Sequence, residues 1–474
     1  MEGSMKIQIM WDLLHTLKQL RQHERWTRPQ IEAYQADALR RLRAYAYAHS
    51  PFYQRLHQGL TDRPLNELPV ITKAMMMEHF DEFVTDPAIH LADVRQYAEK
   101  KEGAPYLGRY WVTATSGSSG HPGFFLFNEP EWLTIMASFA RGQEWSGAKV
   151  SLWRRRRMAT VASIDPWHMS SHVARMANSW WAPSLRLAAS DPLDRIVQRL
   201  NDWRPDVLIA YASMARILAE EQIAGRLDIA PEVVFTSSEV LSDETRQRVK
   251  LAWGDEPFNQ YGATETAEIA AECREGRQMH LFEDLVMVEV VDEEYQPVAP
   301  GAYGAKLLVT TLFSRTQPLI RYELSDSVRL TADACTCGTP ASCTCQVSTC
   351  IQVQSCPCGR PFVVLESVQG RVEDTLLLPA VTQGRVAIRP LVFNRIMDIL
   401  PVSGWQIIQE PDESLTVLLS GVRGELTTKL VVDKLNQSLT AQGASVPKIE
   451  VQTVATIPKA ASGKAPLIKA FRPS

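Results

Sequence analysis

The chain has 474 residues, 45% of them hydrophobic and 22% charged, with a formal net charge of −4. Such proportions belong to an ordinary globular protein with room for roughly two to four domains, and they argue against a general nucleic-acid or membrane-surface binder. No apolar run approaches the ~20 residues that span a bilayer, and the first residues lack the apolar core of a signal peptide, so a cytoplasmic location is expected.

In chain order, residues 6–60 read as helical, with Trp11, Leu14, Leu17 and Leu20, spaced by three, suggesting one apolar stripe. A second helix is expected over residues 29–49, ended by Ser50 and Pro51. Residues 68–73 lead into another short helix. Nothing in this N-terminal part announces chemistry.

Residues 113–123, TATSGSSGHPG, lie between the β-prone runs 106–112 and 124–127. Gly117 and Gly120 tolerate positive φ, so successive backbone N–H groups there can form an anion-binding nest. The hydroxyls of Thr115, Ser116, Ser118 and Ser119 add donors. The GK[ST] ending of the common P-loop is missing. Standing alone, the stretch suits a phosphate cradle and a Ser/Gly surface turn equally.

A helix is expected over 129–145. Arg154, Arg155, Arg156 and Arg157 precede a strand at 158–163, where a basic run suits either phosphate binding or a solvated face. Expected helices 193–203 and 213–224 alternate with strands 207–210 and 233–235, the pattern of a parallel α/β sheet. TSSE at 236–239 follows a strand, where open α/β sheets place ligands. Further strands are expected at 286–291 and 305–312.

Four later motifs complete a series with the Gly/Ser loop: YGATE at 261–265, RYELSD at 321–326, GRVED at 370–374 and PKAASGK at 458–464. In this order and at these separations they resemble the signature set of the adenylate-forming superfamily of acyl-coenzyme A synthetases, peptide-synthetase adenylation domains and luciferases. Within it the chain most resembles the phenylacetate–coenzyme A ligase group. The resemblance implies an α/β fold. A large multi-sheet N-terminal adenylate-forming domain would span residues 1–372, and a small, mobile α+β lid residues 373–474. In the lid, helices are expected at 388–399 and 425–439, with strands at 404–409, 415–419 and 448–454.

The same resemblance implies ATP, Mg²⁺ and coenzyme A as ligands and assigns roles. The loop Thr115, Ser116, Gly117, Ser118, Ser119, Gly120 would hold phosphates, and Ser238 and Glu239 would form the adenine-side turn. Tyr261 would pack on adenine, Gly262 would allow close backbone approach, and Thr264 would touch the α-phosphate. Glu265 would bind Mg²⁺, for which a carboxylate is a suitable hard ligand. Asp326 would take both ribose hydroxyls, since its oxygens are acceptors only. Arg371 would reach ribose or phosphates, Glu373 would be the hinge, and Lys464 would carry a mobile positive charge into the transition state. Taken alone, residues 458–464 are as well read as an exposed tail loop. Ser325, where glycine is usual, and Glu373, where Asp or Lys is usual, depart from the pattern.

Seven of the eight cysteines lie between residues 335 and 358. In a reducing compartment such clustering favours metal over disulfides. Cys356 and Cys358, with Cys273 and His280, make a candidate four-ligand structural Zn²⁺ site; the choice of 356 and 358 over Cys335 and Cys337 follows from the resemblance. Cys335, Cys337, Cys343, Cys345 and Cys350 then fall in an insertion and suit either a second metal or exposed thiols.

The function implied is adenylation of a small carboxylic acid, aryl or arylacetic, followed by acyl transfer to coenzyme A. Residues 210–215 and 235–240, with Trp167 and His168, are the expected acyl pocket. Transfer to an amine or a carrier-protein phosphopantetheine uses the same motifs, and a silent nucleotide-binding protein is the non-enzymatic alternative. No nucleic-acid or membrane partner is expected, and both monomer and homodimer remain open.

Overall fold

The computed structural model describes residues 2–100, 104–115, 122–148, 155–176, 182–299, 301–331, 356–371, 374–397, 400–402, 404–422, 424–455, 457–458 and 467–471. Helices Glu2–His23 and Arg28–His49 open the chain, the second followed directly by Pro51–Leu56, whose first turn is capped by Ser50. The expected stripe on the first helix is only half right. Leu17 and Leu20 are buried, whereas Trp11 is 66% exposed and Leu14 36%. Residues three apart drift by about 60° per step around a helix with 3.6 residues per turn, so four in succession cannot share one face.

The helix Glu129–Trp145 begins at a capping box. Asn128 N–H donates to Glu131 at 2.8 Å, and Glu131 N–H donates back to the Asn128 side chain at 3.1 Å. Its inner face lies on the central sheet. That sheet has nine strands in the spatial order Asp326–Leu330, Val364–Arg371, Met279–Leu281, Ala267–Glu272, Phe258–Ala263, Val233–Ser237, Val207–Tyr211, Met158–Ala162, Ser184–Ala188. From Phe258–Ala263 to Ser184–Ala188 neighbouring strands run parallel. Helices Leu193–Trp203 and Ala212–Ile223 connect them, as the alternation predicts. The other half is antiparallel. A second, antiparallel sheet joins Val286–Val291, Lys306–Thr311 and Tyr322–Leu324.

Residues 376–468 form a core of their own, with Leu378, Phe393, Ile407, Val417, Leu435 and Ile468 all buried in it. Four strands, Ile449–Thr453, Leu415–Ser420, Gly404–Gln409 and Ile468–Lys469, carry helices Pro390–Met397 and Thr428–Ala441. Two expected helix starts move. Ile388 ends the strand Arg385–Ile388, because Pro390 fits only the first turn of the helix that follows. The last helix starts at Thr428 rather than 425, where the Thr427 hydroxyl accepts from Leu430 N–H at 3.2 Å. No helix among the described residues is long and apolar enough to cross a membrane.

Candidate active site

The strand Phe258–Ala263 ends where the sheet turns from parallel to antiparallel, and a cavity of about 1000 Å³ opens there. Thr264 and Glu265 line it just past the strand, beside the 237–243 turn, in which Ser238 has φ +66. A non-glycine residue in this left-handed region is strained, and such strain gathers at functional sites. The turn is tied down by Glu239, whose Oε2 accepts from Ser213 N–H at 2.9 Å.

Tyr261 and Asp326 meet across the opening, the phenol donating to Asp326 Oδ2 at 3.0 Å. Burial, reinforced by Asp326, holds that phenol well above its ordinary value. Arg371 pairs with Asp326 in strand register and lines the same cavity. Gly262 is obligatory, because an added Cβ would stand 2.4 Å from the Ala267 carbonyl oxygen. Ala267 itself sits at φ +65. Burial raises the Glu265 carboxyl above its ordinary range; Asp326 adds to the rise, and the positive charges of Arg371 and Lys73 oppose it.

The Gly/Ser loop is closed at its base. Thr115 N–H donates to Gly123 O at 2.9 Å, and Gly123 N–H donates to the Thr115 hydroxyl at 2.8 Å. The strands Trp111–Ala114 and Phe124–Phe127 flank it in antiparallel register.

Away from the cavity, the Cys273 thiol, the His280 ring and the Cys356 and Cys358 thiols bring four ligand atoms within 4.8 Å of one another. Cys273 and Cys356 are free, their sulfurs 3.5 Å apart, and Cys358 Sγ lies 3.3 Å from His280 Nε2. His280 Nδ1 faces the Phe362 carbonyl at 3.2 Å, which leaves Nε2 to the cluster. An added Cβ at Gly276 would come within 2.5 Å of Cys356 Sγ, so the backbone turn depends on glycine there. The Cys358 thiol is lowered to about 7, chiefly by a hydrogen bond from Cys273.

In sequence, the chain is 28% identical to a phenylacetate–coenzyme A ligase of Thermus thermophilus over 373 residues, 75% of this chain and 73% of that one. It is 23% identical to the protein CapK of Staphylococcus aureus over 301 residues, 60% of each. No protein-family model matches. Among solved structures, 2-hydroxyisobutyryl-CoA ligase in its postadenylation state, bound to an acyl-AMP, superposes with a TM-score of 0.71 at 18% identity, over 95% of this chain and 92% of that one. The chain shares the fold of that ligase. An anthranilate CoA ligase in complex with anthranoyl-AMP gives a TM-score of 0.50 at 14% identity, over 75% of this chain and 65% of that one.

Of the residues expected at the site, Thr115, Ser238, Glu239, Tyr261, Gly262, Thr264, Glu265, Asp326 and Arg371 all line the one cavity. Ser116, Gly117, Ser118, Ser119, Gly120, Glu373, Lys464 and the five cysteines of 335–350 lie outside the described residues, but Leu467 and Ile468, just after Lys464, line the cavity. Three expectations are corrected. Residues 210–215 do not line it; Ala212 and Ala215 are buried in helix packing instead. Of Trp167 and His168 only His168 lines it, while Trp167 packs edge-on against Tyr97. The N-terminal part is not chemically silent, since Lys73 reaches the cavity beside Gly123. Its only sequence signal is its place after Thr72, the helix cap whose hydroxyl accepts from Met75 N–H at 3.3 Å. The arginine run supplies no cavity residue among those described: Arg156 pairs with Glu232 at 3.3 Å and Arg157 with Asp206 at 3.9 Å.

Proposed function

We propose that this protein is an AMP-forming acid–coenzyme A ligase acting on a small carboxylic acid, aryl or arylacetic. One observation carries the reading: residues from four separate motifs, Thr115, Tyr261, Glu265, Asp326 and Arg371, converge on a single cavity. A substrate carboxylate oxygen attacks the α-phosphorus of ATP, and pyrophosphate leaves. The coenzyme A thiol then attacks the acyl carbon, AMP leaves, and the thiol proton passes to solvent. Tyr261 and the 237–243 turn bound the adenine side, Asp326 accepts from the ribose hydroxyls, and Thr264 meets the α-phosphate. The Gly/Ser loop, Lys73 and Arg371 face the polyphosphate. Positioning and fixed charge carry most of the rate in such chemistry.

Glu265 with the Thr264 hydroxyl offers hard oxygen donors that fit Mg²⁺, and a cation would offset the burial that raises Glu265. When bound, the metal supplies charge neutralisation on the phosphates. Cys273, His280, Cys356 and Cys358 fit a structural Zn²⁺ by donor type, number and spacing, with no position left open for chemistry. Residues 373–474 act as a lid pivoting at Glu373. Lys464 stands three positions before Leu467, which lines the cavity, and this nearness in sequence supports a role for it in stabilising the adenylation transition state.

ATP–pyrophosphate exchange over a panel of aryl, arylacetic and aliphatic acids, with and without coenzyme A, tests the reading. Acid-dependent exchange and thiol-dependent AMP release are expected. Exchange without any drain by coenzyme A points instead to an amine or carrier-protein acceptor. Absence of exchange with every acid contradicts the ligase function.

A further inference from the structure

Beyond the residues that adenylation employs, the cavity wall holds a carboxylate with nothing to bind. Glu268 is 2% exposed, and among the described residues neither of its carboxylate oxygens has a hydrogen-bond partner. Gln260, 6% exposed, also lines the cavity with its side-chain Nε2 unpartnered. The two belong to adjacent strands: Gly262 pairs with Glu268, and Gln260 with Ala271. Both side chains emerge beneath the helix Glu129–Trp145. Its Gly142 leaves the room they occupy, since a Cβ there would lie 2.6 Å from Glu268 Oε2 and 3.2 Å from Gln260 Nε2. A glycine inside a helix costs about 1 kcal/mol relative to alanine. Here it leaves a carboxylate its space.

Arg141, the cation nearest in sequence to this glycine, does not meet the need. Its two terminal nitrogens are bonded to Asp284 at 2.7 and 2.9 Å. Burial drives the Glu268 carboxyl well above its ordinary range, and Arg141 opposes this only in part. A buried polar group left without a partner is costly, of order 1–3 kcal/mol and more when charged, so a donor arriving from the cavity would bind strongly. One turn before Gly142 on the same helix, Phe139 lines the cavity, as do Met169 and Ala267. An apolar body between Phe139, Met169 and Ala267 would present a polar substituent to Glu268 while its carboxylate stays at Thr264 and Glu265.

We infer that the acid substrate carries a hydrogen-bond donor, an amino or hydroxyl group remote from its carboxylate, which Glu268 accepts with Gln260 beside it. The inference rests on the acid-adenylating reading and narrows its substrate class. Plain hydrocarbon acids leave Glu268 buried and unpaired; amino- or hydroxy-substituted aromatic acids satisfy it. A site built to bond a polar group rejects the analogue lacking it by far more than a hydrophobic pocket rejects a wrong shape.

The test is kcat/KM in pyrophosphate exchange for matched pairs, amino- or hydroxy-substituted benzoates and phenylacetates against the unsubstituted acids. Wild type is compared with Glu268→Gln and Glu268→Leu, each checked for a cooperative thermal transition. Wild type is expected to favour the substituted acid by about 100-fold or more, and Glu268→Leu to bring the ratio below about 10-fold. Glu268→Gln, which keeps an acceptor and the size, should retain more of the preference than Leu and serves if Leu fails to fold. A merely structural role would lower both acids together and leave the ratio unmoved. Equal use of both acids by wild type, or a ratio unchanged in both variants, overturns the Glu268 proposal and leaves adenylation standing. Absence of exchange with every acid overturns both.

Discussion

Arg141 and Asp284 are each fully buried and meet through two hydrogen bonds, with His23 Nδ1 2.8 Å from the same carboxylate. Arg141 also lies over the Phe282 ring, 4.2 Å from its centroid. Burial alone would raise the Asp284 carboxyl, but Arg141 and His23 overcome it and hold it at about 2. A carboxylate depressed in the folded state stabilises the fold at pH values above its unfolded pKa. That contribution is lost as pH falls from about 4 through about 2. Asp284→Asn leaves the guanidinium buried without its counter-charge and is expected to cost about 3–5 kcal/mol at pH 7. Urea unfolding at pH 7 and pH 2.5 reads both effects: the gap between wild type and variant should narrow at the lower pH. A variant as stable as wild type at pH 7 would contradict the assignment.

At the scale of elements, the Cys/His cluster ties the turn after Ala267–Glu272 to the segment leading into Val364–Arg371. The same region is already paired through Met279–Leu281. Metal analysis is expected to find about one zinc per chain, and Cys356→Ser should lose it and lower Tm by several degrees. A metal-free protein of unchanged stability would contradict the site. The cluster was legible in the sequence because the resemblance set Cys356 and Cys358 apart from Cys335 and Cys337, and the described residues bring those two beside Cys273 and His280. Helix Glu129–Trp145 and strand Val286–Val291 were legible to the residue, and the helix start is fixed by the Asn128–Glu131 capping box. Ile388 was misread because an apolar residue before a proline suits a strand end as well as a helix start. Lys73 and the Arg141–Asp284 pair were not legible. Lys73 is brought in by backbone pairing of Ile71 with Tyr322, and Arg141 meets a residue 143 positions away. No local pattern encodes such contacts.

Over the whole molecule, the cavity draws on both cores. Glu265 and Asp326 come from the central sheet and its margin, while Asn394, Arg395 and Leu467 come from the region packed around the smaller core. The two-step reaction proposed for it needs one chemical intermediate, an acyl-adenylate held while the thiol enters, and Lys464 should matter for making it more than for binding ATP. Quenched-flow mass spectrometry with ATP and the acid that supports exchange, in the absence of thiol, tests this most directly. Wild type is expected to accumulate acyl-AMP in amounts near stoichiometric with protein, discharged to AMP and thioester when coenzyme A is added. Lys464→Ala should bind ATP nearly as well yet form the adenylate at least ~100-fold more slowly. Formation of ADP and an acyl phosphate, or a Lys464→Ala variant that adenylates at the wild-type rate, would contradict the proposed chemistry.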